Sequence, residues 1–272
     1  MPQSFPLYQI DAFAEGVFSG NPAAVVPLDS WLPDATLQAI AAENNLPETA
    51  FFVPLPASQG DGFHLRWFTP TFEIDLCGHA TLAAAHVLFT ELGFTGPRLR
   101  FESQSGSLFV ERESGHDGDL LALDFPSWPP KPVPVTEAMS RAFGAEPLEA
   151  YAGRDLLCVF AGEDVVRGLR PDLAAFHELP YVCNIASAPG HPGGGFDFVS
   201  RVFCPEVGIP EDPVTGSAHS LLTPFWAARL GRTRLNAFQA SKRGGRLMCE
   251  LRGDRVRIAG RAALYLRGTI FV

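Results

Sequence analysis

Five side chains stand where they could move protons. Glu48 opens an apolar run, Glu48-Thr-Ala-Phe-Phe-Val53, behind a proline-broken segment. A carboxylate in apolar company holds its proton more tightly and becomes a usable acid/base near neutrality. Cys77 and His79 flank Gly78 in Asp75-Leu-Cys-Gly-His-Ala-Thr81, where extended chain turns into a run of helix formers. A helix N-terminus presents unpaired N–H groups and a positive partial charge. There a thiol ionises more easily and an imidazole is expected to stay neutral. Asp212 and Ser217 lie in Glu211-Asp-Pro-Val-Thr-Gly-Ser-Ala218, before a second such helix. Each residue also has a plain structural use. Glu48 suits a loop–strand junction, His79 a capped core histidine, Cys77 an inert buried thiol, Asp212-Pro213 a turn, and Thr215 or Ser217 a helix cap.

The elements that position these residues form an internal duplication. Phe203 and Pro205 follow Phe68 and Pro70 by 135 positions; Gly216, Ala218 and Gly231 follow Gly78, Ala80 and Gly93 by 138, with three residues inserted around Glu211-Asp212-Pro213. Cys77 then corresponds to Thr215, and His79 to Ser217. Ala80–Leu92 is apolar on nearly every face, the pattern of a helix buried on all sides, and Gly93 is a suitable stop. The duplication implies two similar lobes, each offering a helix N-terminus to a shared cleft that suits a carboxylate ligand.

The rest of the chain reads as short strands with few helices. Strands are expected at Leu7–Phe13, Ala23–Val26, Glu48–Val53, His64–Phe68, Arg98–Phe101, Ser107–Arg112, Leu120–Phe125, Leu156–Phe160, Phe196–Phe203, Gly245–Leu251, Val256–Ile258 and Thr269–Val272. Helices are expected over Ala35–Glu43, capped by Asp34, over Thr136–Phe143, and over Pro171–His177. Pro126–Pro134 contains five prolines, which forbid helix and mark a domain junction. The expected division is residues 1–120, joined by the last strand 263–272, and residues 121–262.

Composition excludes several classes. The 272 residues are 46% hydrophobic and 19% charged, an ordinary globular balance. The net charge of −9 argues against nucleic acid as a partner. Arg229–Arg267 holds 11 Lys/Arg against Glu250 and Asp254, but Arg255-Val-Arg-Ile-Ala alternates as the wet face of a strand does. No apolar run reaches the roughly 20 residues of a membrane span, and Met1–Pro6 lacks the features of a signal peptide. Five cysteines without CxxC spacing suggest reduced thiols and a cytoplasmic protein. His86 and His219 read as packing residues. His64, His177 and His191 are scattered without metal-ligand spacing. Gly193–Gly195 lacks dinucleotide-loop spacing, and no GxSxG elbow is present.

Four ordered motifs, Gly20-Asn-Pro-Ala-Ala-Val-Val26, Asn45-Leu-Pro-Glu-Thr-Ala-Phe-Phe52, Asp75–Thr81 and Glu211–Ala218, resemble the PhzF-like isomerases of phenazine biosynthesis. The resemblance spans essentially the whole chain. It implies an α+β fold of the diaminopimelate epimerase type: two pseudosymmetric lobes, each a curled, barrel-like mixed sheet around a central buried helix. It also implies a homodimer, no cofactor and no metal. Matched position by position, Glu48 is the proton-shuttling glutamate, with His79, Asp212 and Ser217 as its active-site companions. Asn21, Cys77 and the N–H groups around Gly78 and Gly216 would bind a small carboxylate-bearing substrate. The related epimerases use two cysteines, and here Cys77 has Thr215 for its counterpart. The expected reaction is proton transfer within one substrate. The alternatives are an epimerase or racemase working through Cys77, and a non-catalytic binder of small organic acids.

Overall fold

In a computed structural model, residues 3–113 and 119–272 are described, so Met1 and Pro2 of the opening stretch fall outside the described residues. The chain divides into two compact units, one comprising Met1–Asp124 with Ala259–Val272, the other Phe125–Ile258.

Unit 1 begins with the antiparallel pair β1 (Ser4–Ala12) and β2 (Asn21–Pro27), followed by α1 (Asp34–Asn44) and β3 (Glu48–Pro54), which runs parallel to β2. Then come β4 (Phe63–Phe68), the short β5 (Glu73–Ile74), α2 (Gly78–Thr90), β6 (Arg98–Ser103), β7 (Gly106–Glu113) and β8 (Leu120–Pro126), whose last residues enter unit 2. The sheet is mixed: β4 pairs antiparallel with β3 and parallel with β6, and β7 pairs antiparallel with β6 and β8. α2 packs on β1, β2, β3 and β7, so the sheet of this unit curls round it. The continuous apolar run has the consequence expected: all residues from Gly78 to Ala85 are buried. α1 covers the other side of β2 and β3, with Leu37, Ile40 and Ala41 against Val26, Phe51 and Phe68.

Unit 2 contains β9 (Lys131–Val133), α3 (Glu137–Phe143), β10 (Glu149–Ala152), β11 (Leu156–Val159), α4 (Glu163–Gly168), β12 (Asn184–Pro189), β13 (Phe198–Cys204), β14 (Ile209–Asp212), α5 (Gly216–Leu230), β15 (Arg234–Gln239), β16 (Gly245–Arg252) and β17 (Arg255–Gly260), which leads back to unit 1. There β18 (Ala262–Phe271) pairs antiparallel with β1 and also touches α2. The core of unit 2 is aromatic, with Phe143, Phe160, Phe176 and Phe203 buried together. Each such ring stabilises the fold by about 1.5–3 kcal/mol relative to an exposed one.

Several expectations are corrected. Asp34 does not cap α1: Pro33 holds that position, while the Asp34 carboxylate meets Arg66 at 2.9 Å. α2 ends at Thr90, one turn before Gly93, which takes the left-handed conformation at φ 72° beyond the helix. Of the two repeat helices, α5 is the one closed directly by its glycine, Gly231, whose N–H reaches Ala227 O. The proline-rich segment is extended, yet Lys131–Val133 is a strand paired with β10. Pro171–His177 forms no α-helix; Asp172 Oδ1 accepts the N–H groups of Ala174 and Ala175, and only a 3-10 turn follows.

The reduced-thiol expectation fails for one pair. Cys183 and Cys204 form a disulfide, with Cα atoms 4.4 Å apart, while Cys77, Cys158 and Cys249 are free and buried. The cause is register. Asn184 pairs with Phe203 in the antiparallel β12–β13 ladder, so the two flanking cysteines face each other. The argument for the cytoplasm from reduced thiols therefore loses two of its five cysteines. No helix among the described residues is long and apolar enough to cross a membrane.

Candidate active site

Unit 1 brings Asn21, Glu48, Cys77, Gly78 and His79 together. Asn21 starts β2 after Gly20, whose φ of 68° and a would-be Cβ 2.2 Å from Ala12 O admit only glycine there. Glu48 starts β3 just after Asn45, which ends α1 in the left-handed conformation at φ 48°. Parallel pairing sets Glu48 beside Ala23, two residues along from Asn21. His79 stands in the first turn of α2, and the Thr81 hydroxyl donates to Cys77 O at 2.5 Å, fastening that turn.

His79 Nε2 lies 2.9 Å from Glu48 Oε2, and the two side chains are only 6% and 8% exposed. At that separation the groups attract strongly, but the ring N–H is out of line with the oxygen. Neither atom has a properly aligned hydrogen bond among the described residues, so the contact is electrostatic in kind. On the other side of the ring, Asn21 Nδ2 lies 3.2 Å from Nδ1, and Cys77 Sγ lies 3.5 Å from the same nitrogen. In the neutral ring Nδ1 accepts from Asn21 and the proton belongs on Nε2, facing Glu48; in the charged ring Nδ1 also carries a proton, which Cys77 Sγ can accept.

The electrostatics overturn the expectation of an easily neutralised histidine. Burial lowers the His79 pKa, but Cys77 and Glu48 outweigh burial and hold it well above its ordinary value. The Cys77 thiol is pushed up, chiefly by burial and further by the Glu48 charge. Its helix-end position does not make it a ready thiolate. The same three residues offer one carboxylate oxygen, one sulfur and one imidazole nitrogen within 4.8 Å of one another, a donor set that zinc accepts.

Unit 2 repeats the local plan with different chemistry. Thr215 takes the Cys77 position at the start of α5, again in extended conformation. The Thr215 hydroxyl donates to Asp212 Oδ2. His219, the counterpart of Thr81, uses Nδ1 to hold Thr215 O at 2.8 Å. Gly216 is buried and Ser217 half-buried. Gln239, at the end of β15, accepts Thr215 N–H at 2.9 Å and donates to Asp212 O at 2.8 Å. Sequence reasoning passed over Gln239. The signal lies in β15, where Leu235, Ala237 and Gln239 alternate inward and one inward position is polar.

The remaining histidines leave their polar groups elsewhere. Trp31 Nε1 donates to His64 Nδ1, His177 meets Glu206 and His191 meets Asp164. His86 is half-buried, and burial lowers its pKa.

The model of the phenazine biosynthesis-like proteins, PhzC-PhzF, matches residues 10–268. The chain belongs to this family. An uncharacterized isomerase of Pseudomonas aeruginosa is 51% identical over 264 residues, covering 97% of this chain and 98% of that protein. Phenazine biosynthesis-like domain-containing protein 2 of Mus musculus is 40% identical over 287 residues, covering 97% and 98%. Among solved structures, a PhzF-family protein of Enterococcus faecalis has a TM-score of 0.94 at 47% identity, over 99% of this chain and 100% of that one. A hydroxyproline epimerase of Agrobacterium vitis shares the fold, with a TM-score of 0.63 at 12% identity, over 99% of this chain and 93% of that one. The family motifs that suggested membership include the residues grouped in unit 1 and the Asp212–Ser217 turn of unit 2.

Proposed function

We propose that this protein is a cofactor-independent isomerase that moves a proton between two carbons of a small carboxylate-bearing molecule, with Glu48 as the acid/base. The observation that carries the reading is the buried Glu48–His79 pair, 2.9 Å apart and out of hydrogen-bond line. A carboxylate with no aligned partner is available to a substrate C–H, and a base held at one point can return the proton to a neighbouring carbon on the same face. His79 stabilises the Glu48 carboxylate before the first transfer and after the second; between them Glu48 holds the proton and is neutral, and the negative charge lies on the substrate. Asn21 and the N–H groups at the start of α2 orient the substrate carboxylate. Asp212, Gly216 and Ser217 are assigned its other polar groups. Relatives named as isomerases support the reaction class. A homodimer, implied by the family resemblance, belongs to the same reading.

The Cys77 route is disfavoured on two counts. Burial raises its thiol pKa, and its counterpart is Thr215, which has no thiol to serve the opposite face of a stereocentre. A site that only binds organic acids would give saturable binding without exchange.

The test is a metabolite screen in deuterated water, read by mass shift. The expected result is deuterium entering one or more small carboxylates with wild-type protein, at a rate lowered about 10²–10⁴-fold by Glu48→Gln. Full exchange by the variant would remove Glu48 from the mechanism. Binding without any exchange would leave a carrier of organic acids.

A further inference from the structure

One of the side chains that hold the turn opening α5 is buried and lies outside every motif. Gln239 is fully buried and stands beside Ser200 of β13 in parallel register. Its Oε1 accepts Thr215 N–H at 2.9 Å. Its Nε2 donates to Asp212 O at 2.8 Å and to Thr215 Oγ1 at 3.2 Å. The amide can adopt only this orientation, because a backbone N–H must find oxygen and a backbone carbonyl must find N–H. The bond from Nε2 uses Thr215 Oγ1 as an acceptor. The single proton of that hydroxyl then goes to Asp212 Oδ2, to which Thr215 donates.

We propose that Gln239 is a positioning residue which, acting through Thr215, holds Asp212 as an ionised carboxylate in one orientation. Asp212 would then meet the substrate as an acceptor, and the substrate must carry a donor, an ammonium or a hydroxyl, at that point. The substrate clause rests on the reading of Asp212 given above. The relay from Gln239 to Thr215 to Asp212 does not. It gives Thr215 a purpose at the place where a second thiol would make a two-base racemase: its hydroxyl orients a carboxylate and takes no proton from substrate.

The experiment is a ¹³C NMR titration of the Asp212 carboxyl carbon in the full-length protein, which requires no substrate. Gln239→Met removes the relay at similar volume, Thr215→Val removes its middle member, and Thr215→Ser keeps the hydroxyl. Ser241→Ala is the control, because Ser241 Oγ donates to Pro213 O at 2.7 Å and holds the same turn outside the relay. Losing the Thr215 hydrogen bond to the charged form in Thr215→Val, or the donor that aims the Thr215 proton at that carboxylate in Gln239→Met, should raise the Asp212 pKa by about one unit. The double variant should rise no further than Thr215→Val alone, and Thr215→Ser and Ser241→Ala should titrate as wild type. An unmoved Asp212 in folded Gln239→Met, or an equal rise in Ser241→Ala, overturns the inference. Should Gln239→Met fail to fold, Gln239→Glu keeps the acceptor for Thr215 N–H and replaces the donors, and no rise there counts equally against the relay. Because the titration is independent of turnover, it can fail while the Glu48 mechanism stands, and the reverse.

Discussion

Glu48 begins β3 and His79 stands in the first turn of α2, yet their facing atoms lie 2.9 Å apart in a buried setting. The proximity couples the two groups: each stabilises the charge of the other, and neither facing atom has a better-aligned partner among the described residues. What separates this site from an ordinary buried ion pair is that misalignment, which leaves hydrogen-bonding capacity unspent.

The coupling has a pH signature. The folded pKa of His79 is raised above its unfolded value of about 6.5. Its stabilising contribution is therefore complete below pH 6.5 and fades as pH climbs through the raised value. Denaturant midpoints of wild type and His79→Gln, measured from pH 6 to 10, should converge as pH rises. A constant difference across that range would mean that His79 is not charged in the folded state.

His219 should behave in the opposite sense. Burial lowers its pKa to about 4. Below pH 6.5 the unfolded chain takes up a proton that the folded chain refuses, so stability falls as pH drops from about 6.5 towards 4, by up to about 3 kcal/mol. A His219→Phe variant should show a flatter pH profile in that window in urea denaturation, whatever its absolute stability.

Cys77 is predicted to be a bystander to the chemistry. Its burial and raised pKa should make alkylation by iodoacetamide at pH 7 far slower than that of a free thiol, as intact-mass spectrometry would read. Cys77→Ser should exchange deuterium within a few-fold of wild type. A loss approaching that of Glu48→Gln would restore the thiol mechanism.

The disulfide gives a countable outcome. Under denaturing, non-reducing conditions three thiols should react with Ellman's reagent, rising to five after reduction. Replacing Cys183 and Cys204 by serine should cost about 3 kcal/mol, from the loop-closure entropy of a 21-residue separation. Five reactive thiols before reduction would show that the bond is not formed.

Much of the fold was legible in the sequence for local reasons. Apolar runs bounded by glycine announce α2 and α5, because a helix buried on all sides needs no polar face and the first turn tolerates glycine. The positions of Glu48, Cys77, His79, Asp212 and Thr215 relative to their own turns follow from the same local signals. The failures at α1 and at Pro171–His177 are local too. Asp34 had a better partner in Arg66, and Asp172 bonded its own backbone instead of starting an α-helix.

What the sequence by itself determined, then, is which residues stand at the ends of elements and which helices are buried. Tertiary structure decided which of those ends meet. Asn21 reaches His79 across 58 residues, Cys183 faces Cys204 across 21, and Gln239 clasps Asp212 across 27. Each of these contacts depends on strand register or helix docking, and slipping a strand by one residue turns its side chains to the opposite face. The protonation of His79 was likewise undetermined by its place on a helix. Its sign was set by the neighbours that folding packed around it, whose effect outweighed burial.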